Sequence, residues 1–143
     1  MQVKTATIED YDIAFSYFEK LWTANTYDYD TMKEVYRAVL ADKDSFVYFA
    51  LDEAGNYHGL CHGKYFETFW MEGSTCYVSS LITNENDHGK GYGTFLLDYV
   101  KEQSKEQDCK AIILDSGLPR AQAHGFYEHY GFEKNCYGFE LLL

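Results

Sequence analysis

Three glycines, Gly89, Gly91 and Gly93, alternate with Lys90 and Tyr92 in the stretch His88 to Thr94. Glycine at every second position lets the main chain take positive φ and leaves nothing beside the amide hydrogens to block a ligand. The residues that follow place Leu96, Leu97 and Val100 on one side and Lys101, Glu102, Lys105 and Glu106 on the other, the pattern of an amphipathic helix. A helix start carries unpaired N–H groups and the positive end of the dipole, so this arrangement can hold an anion such as a phosphate group. It is not the usual phosphate loop, because no Lys-Ser or Lys-Thr pair follows the last glycine, and it lacks the GxGxxG spacing of dinucleotide folds. Read without its surroundings, the same run also suits a plain tight turn.

The elements around the loop follow from periodicity and punctuation. Residues 2–6 read as a short strand, and Thr7 with Asp10 as the cap of a helix over about 8–22, buried through Ala14, Tyr17, Phe18 and Leu21. Thr31 and Glu34 form a second capping pair for a helix whose apolar face is Met32, Val35, Tyr36 and Val39. Phe46 to Leu51 and Tyr57 to about Tyr65 read as an antiparallel hairpin turned at Gly55, and the aromatic, acidic segment 66–73 as a bend. Thr75 to Thr83 is a strand entering the loop. Ala111 to Asp115 is an uninterrupted apolar run of the kind buried in a parallel pair, so strand, helix and strand make a right-handed crossover. Pro119 suits the first turn of a helix over 120–130, Gly131 stops it, and a last strand is expected over about 133–142.

At 143 residues the chain is expected to form a single domain. No apolar run approaches the length of about 18 residues that a spanning helix needs, and the opening residues lack the pattern of a signal peptide, so a cytoplasmic location is expected with no membrane partner. The net charge of -11 argues against nucleic acid and permits a cationic partner. Cys61, Cys76, Cys109 and Cys136 form no CxxC pair and read as free thiols. His58 and His62 fall on one strand, about 13 Å apart on one face at the usual rise, too far to share an ion, and no metal site is expected.

The spacing HxxGxG from His88 to Gly93 resembles the pyrophosphate signature of the GCN5-related N-acetyltransferases (GNAT), with His88 in place of the usual Arg or Gln. The stretch Arg120-Ala121-Gln122-Ala123-His124-Gly125-Phe126-Tyr127, followed by Gly131-Phe132, is similar to the second signature of that superfamily. Arg120 stands where Asn is commoner, as in a subset that also contains aminoalkylphosphonate acetyltransferases. The resemblance covers nearly the whole chain. It implies an α/β (α+β) fold of GNAT type: a mixed, mostly antiparallel central sheet of about six to seven strands with about four flanking helices, and a splayed parallel pair forming the acetyl-CoA cleft.

By the same resemblance, the main chain of Leu81, Ile82 and Thr83 pairs with the pantetheine arm of acetyl-CoA after a bulge, and His88, Gly89, Lys90, Gly91, Tyr92, Gly93 and Thr94 hold the pyrophosphate. Tyr127 donates a proton to the leaving thiol. The acceptor would be a primary amine, of a small molecule before a protein, lined by the first two helices and the 66–73 bend, with Trp22, Tyr27, Glu67, Trp70, Arg120 and His124 as candidate contacts. An alkylamine with a pKa near 10.4 costs about 4 kcal/mol to present uncharged at neutral pH, so a base is required. Glu67, Glu72, His62, His124 and a water chain all stay open for that role. A homodimer is one admissible assembly, and a non-catalytic acyl-CoA-binding or regulatory module is the alternative from another class.

Overall fold

The structure, a computed structural model, describes residues 1–143. The chain forms two compact units, Met1–Ile113 and Leu114–Leu143. In the first, five strands lie in the order of the chain: β1 (Gln2–Thr5), β2 (Ser45–Leu51), β3 (Tyr57–Thr68), β4 (Gly73–Thr83) and β5 (Ala111–Leu114). β1 to β4 are joined antiparallel, and β5 lies parallel to β4. The amide of Lys110 donates to the carbonyl of Ser74 (2.8 Å), so β5 starts beside the start of β4. The parallel pair inferred from the apolar run after the loop helix is therefore present.

Helices α1 (Tyr11–Leu21) and α2 (Tyr29–Ala41) cover one face of the sheet and α3 (Tyr92–Glu106) the other. Ala14, Tyr17 and Phe18 of α1 and Tyr36 of α2 pack on Val47, Phe49 and Leu60, while Leu96, Leu97 and Val100 of α3 are fully buried. Glycine appears on the α3 side of β3 where space runs out. A Cβ on Gly63 would stand 2.4 Å from the Phe46 ring and 2.6 Å from the Tyr77 carbonyl.

Several local details differ from the sequence reading. The Thr7–Asp10 cap is present, but it opens a single 3-10 turn (Ile8–Asp10) before α1 begins. α2 is capped by Asp28, whose carboxylate accepts from the Thr31 amide (2.8 Å), and not by Thr31: an aspartate three residues ahead of that amide reaches it at full negative charge. Val35 is exposed, because the buried stripe runs through Met32, Tyr36, Val39 and Leu40.

His58 and His62 do not share a face. The β2–β3 register slips between Ala50 and Leu51. Tyr57 then reaches Asp10 and Phe49 on the α1 side, whereas His58 stacks on Tyr92 of α3. An inserted residue in a strand defeats the two-residue alternation on which the same-face reading rested. A second slip lies in β4, where Ser80 pairs with His62 and Val78 with Gly63, so Ser79 bulges out.

The second unit holds α4 (Ala121–Tyr130), closed by Gly131 at φ +126 as its position suggested. Pro119 precedes the helix in a turn in which the Arg120 amide donates to Gly117 O (3.0 Å). The strand expected over 133–142 does not form, so the sheet has five strands where six to seven were expected. Tyr137, Phe139 and Leu141 alternate, but Asn135 and Gly138 disfavour extended pairing, and a strand exists only where a neighbouring strand satisfies its amides. This unit, taken by itself, offers a helix and no second strand.

Gly63→Ala should destabilise the fold by about 1–3 kcal/mol, because the new methyl meets a ring and a carbonyl that are themselves packed. Urea unfolding measures it, and a midpoint unchanged from wild type would contradict the packing described here.

Candidate active site

β4 ends at Thr83, and Asn84 fastens the chain where it leaves the sheet. Its amide donates to His58 O (3.0 Å), its side-chain NH2 to Tyr57 O (3.0 Å), and its side-chain oxygen accepts from the Tyr17 phenol (2.7 Å). A 3-10 turn (Glu85–Asp87) follows, and then the glycine-rich loop. Gly89 and Gly91 take φ of +83 and +89, so the positive φ inferred from the spacing is realised at both. No atom lies within 4 Å of a Cβ built on Gly89, and only the Met1 methyl (3.9 Å) comes near one built on Gly91.

Gly91 is the residue ahead of α3 and brings no capping side chain. The first helical bond runs from the Phe95 amide to Gly91 O (2.9 Å), which leaves the amides of Tyr92, Gly93 and Thr94 ahead of the ladder. Three N–H groups and the helix dipole thus converge on a spot kept clear by glycine. That arrangement is one in which a helix start can receive a phosphate.

Asp87 is the acceptor nearest in sequence that could fill the spot, and it is engaged elsewhere. Its carboxylate meets His58 Nδ1 at 2.5 Å and Lys90 Nζ at 3.0 Å, and these contacts, His58 first, hold it below the usual carboxylate range. The other ring nitrogen of His58 meets Asp52 at 2.8 Å. The imidazole therefore lies between two carboxylates, Asp87 the stronger influence, and its pKa is raised above the ordinary value. The ring also stacks flat on Tyr92, with centroids 4.3 Å apart and planes 2° from parallel. Asp52 and Asp87 read from the sequence only as turn residues, and His58 only as a metal ligand that its distance from His62 ruled out. The one local hint was an aspartate immediately before His88; the other two members arrive only when the β2–β3 turn folds toward the loop.

Leu81, Ile82 and Thr83 are the last residues of β4 and pair on one side with Cys61, Leu60 and Gly59. On the other side β5 is four residues long and begins beside Ser74, so these three residues run past its end. His88 is exposed and lies between the 3-10 turn and the glycines.

Each remaining candidate has its own local setting. Trp22 ends α1, stacks on Phe18 (5.8 Å) and meets Tyr27 edge-on (6.2 Å). Glu67 accepts from the Ser74 hydroxyl (3.1 Å), and Trp70 is exposed in the β3–β4 turn, about 30 Å along β4 from the glycine loop. In the second unit, Arg120 precedes α4, His124 Nε2 donates to Gly117 O (2.9 Å), and the Tyr127 ring meets Phe126 and Phe132 edge-on at 5.4 and 5.8 Å. The four cysteines are free, Cys61 and Cys76 buried and Cys136 exposed. No group of three or more His, Cys, Asp or Glu side chains is placed to hold a metal ion, and no helix is long and apolar enough to cross a membrane.

Comparison with known proteins points the same way. The model of the family described as "Acetyltransferase (GNAT) family" matches residues 9–132. The uncharacterized N-acetyltransferase YhdJ of Bacillus subtilis (strain 168) is 34% identical over 98 residues, 68% of each chain. Among solved structures, a GNAT family acetyltransferase of Staphylococcus aureus subsp. aureus USA300_TCH1516 superposes with a TM-score of 0.76 at 21% identity, over 99% of this chain and 98% of that one. The aminoglycoside acetyltransferase meta-AAC0020 from an uncultured soil metagenomic sample, solved with sisomicin, gives 0.79 at 16% identity over 99% and 95%. At such identities the structures share a fold.

Gly91→Val should raise the Kd for CoA at least about tenfold, equivalent to about 1.4 kcal/mol, because a branched side chain both strains a positive φ and covers the amides. Calorimetry with an unaltered Kd would show that the amides are not the binding groups. His58 gives a second test. With its pKa raised by folding, the imidazolium stabilises fully below the unfolded value of about 6.5, and that contribution is lost as pH rises through the higher folded value. Between pH 6.5 and 9 the melting temperature of the wild type should therefore fall more than that of His58→Asn. Parallel curves would remove the charged bridge.

Proposed function

The chain belongs to the GNAT family of acetyltransferases, and from that premise we propose that it transfers the acetyl group of acetyl-CoA to the primary amine of a small molecule, with Tyr127 as the general acid. The observation that carries this reading is the set of free amides at Tyr92, Gly93 and Thr94 behind two glycines at positive φ. The donor set suits a diphosphate: main-chain N–H groups, a helix dipole and no side chain in the approach. Lys90 adds a cation already balanced against Asp87, so the site gains donors without a second carboxylate facing the anion. Acetyl-CoA supplies a thioester, whose carbonyl carbon the amine can attack directly.

The protein's part is to orient, polarise and move protons. The outer edge of Leu81, Ile82 and Thr83 beyond the short β5 suits an extended arm added as a strand, and an amide there would polarise the acyl carbonyl. A phenol near the sulfur lowers the barrier to departure of a thiolate whose conjugate acid has a pKa near about 8.5. The acceptor is read as cationic. A net charge of -11 draws ammonium compounds from solution. The Trp22–Tyr27 corner adds aromatic faces suited to a cation or a sugar ring. The aminoglycoside acetyltransferase that shares the fold also favours a small polyamine class over a protein amine.

The purified protein, given acetyl-CoA and a panel of polyamines, amino acids, aminophosphonates and aminoglycosides, should release CoA with at least one of them. Release with none would favour a binding or regulatory module. Tyr127→Phe should lower kcat about 10²- to 10⁴-fold with little change in KM for acetyl-CoA. An unchanged kcat would remove the general-acid role.

A further inference from the structure

We propose that His62, with the hydroxyl of Ser80 beside it, is the group that takes the proton from the acceptor ammonium; this rests on the acetyltransferase reading above.

His62 sits in the middle of β3, opposite Val47 of β2 and Ser80 of β4. Residues paired across antiparallel strands point to the same face with Cβ atoms about 5 Å apart, so the imidazole and the Ser80 hydroxyl stand side by side. The face is that of Leu60, two residues back, which packs among the α1 and α2 side chains. It is the side the sequence reading assigned to the acceptor mouth. The pair lies at the β4 bulge, and Ser80 immediately precedes Leu81, the first of the three residues assigned to the acyl arm.

Both groups lack partners. The Ser80 hydroxyl is buried and makes no hydrogen bond. Burial is the only influence on the His62 imidazole and pushes its pKa below the ordinary value, with no carboxylate or hydrogen bond offsetting it. Buried polar groups are nearly always satisfied, and two orphans side by side are what a bridging water or an incoming amine would satisfy. His62 is half-buried and not sealed, so its ring can be reached.

The other titratable groups nearby are committed. On the same face of β3, Lys64 is tied to Asp42 (2.7 Å), which also accepts from Ser45, and Tyr77 of β4 pairs with Lys64 in register. From α1, Tyr17 donates to Asn84, and from α2, Tyr36 donates to Thr7 O (2.7 Å). The rival bases are placed less well. Glu67 is bonded to Ser74, Glu72 lies in the β3–β4 turn, and His124 is bonded to Gly117 O. Burial lowers the pKa of the imidazole and of an ammonium held beside it in the same direction, so desolvation does not by itself widen the gap between them.

The step balances as follows. The ammonium gives one proton to His62, directly or through a water held by Ser80. The freed lone pair forms the C–N bond, the C–S bond breaks with its electron pair on sulfur, and the second proton on nitrogen is lost as the sulfur takes one up, leaving the amide and the free thiol. His62 returns its proton to solvent, so one proton is released per turnover.

The test is kcat/KM against pH for wild type, His62→Gln and Ser80→Ala, using acetyl-CoA and whichever panel amine the wild type turns over fastest. The wild type should gain activity with rising pH, with a midpoint below 6.5. His62→Gln should lose about 100-fold or more together with that rise, at unchanged CoA affinity, and imidazole added to His62→Gly should restore part of the rate. Ser80→Ala should lose less. A wild-type profile retained in His62→Gln overturns the role of His62 alone, whereas a wild type inert toward every amine overturns the transferase reading beneath it. If the variants fail to fold, imidazole NMR of the wild type decides: a His62 midpoint that moves when the amine binds supports the assignment, and one that does not move overturns it.

Discussion

Three backbone amides at the start of α3 have no acceptor within the chain, and much of the first unit keeps them that way. Helices usually answer this deficit with a serine, threonine or aspartate, at a gain of about 1 kcal/mol. Here the position is Gly91, which forgoes the cap, and the aspartate nearest in sequence is drawn off by His58 and Lys90. The charges also balance. Two carboxylates, Asp52 and Asp87, are engaged by the His58 imidazole and the Lys90 ammonium, so an anion arriving at the helix faces oriented N–H groups rather than unpaired carboxylates. The local arrangement offsets a chain whose net charge would otherwise repel a diphosphate.

The loop is stiffened from beneath by the sheet. Asn84 spends its amide and both ends of its side chain on β3 and α1, and the His58 ring fills the space under Tyr92. Two bulges make this possible. One in the β2–β3 pair turns His58 toward α3, and one at Ser79 reorganises β4 just before its open end. The two histidines of β3, four residues apart, thereby meet opposite conditions. Two carboxylates, Asp87 first, raise the pKa of His58, while burial alone lowers that of His62. Their settings diverge accordingly, one bridging Asp52 and Asp87 beneath the glycine loop and the other without a hydrogen-bond partner in β3.

What could be read from the sequence was whatever local chemistry decides. Alternating glycines before an amphipathic run imply free amides, and the apolar run 111–115 implies a strand parallel to β4; both are present. The stripe Ala14, Tyr17, Phe18 and Leu21 is buried as its spacing required. What could not be read depends on distant pairing or on a single inserted residue. The His58–Asp87 bridge joins residues 29 apart in sequence. The bulge that separates His58 from His62 changes no residue type, only the count between strands, and period-two reasoning cannot detect it. A strand was expected over about 133–142 and does not form; Tyr137, Phe139 and Leu141 alternate, but alternation supplies a face and not a partner. The glycine loop and its unpaired amides were thus legible in outline, and the groups that hold the loop were not.

The central claim is that the amides of Tyr92, Gly93 and Thr94 bind a diphosphate. Amide NMR during titration with CoA, and separately with pantetheine, which has the same thiol arm and no diphosphate, tests it most directly. The account predicts large shifts at residues 89–94 with CoA, at an affinity at least about 100-fold, or about 2.7 kcal/mol, tighter than pantetheine. Equal affinities, or CoA binding that leaves those amides unmoved, would contradict it.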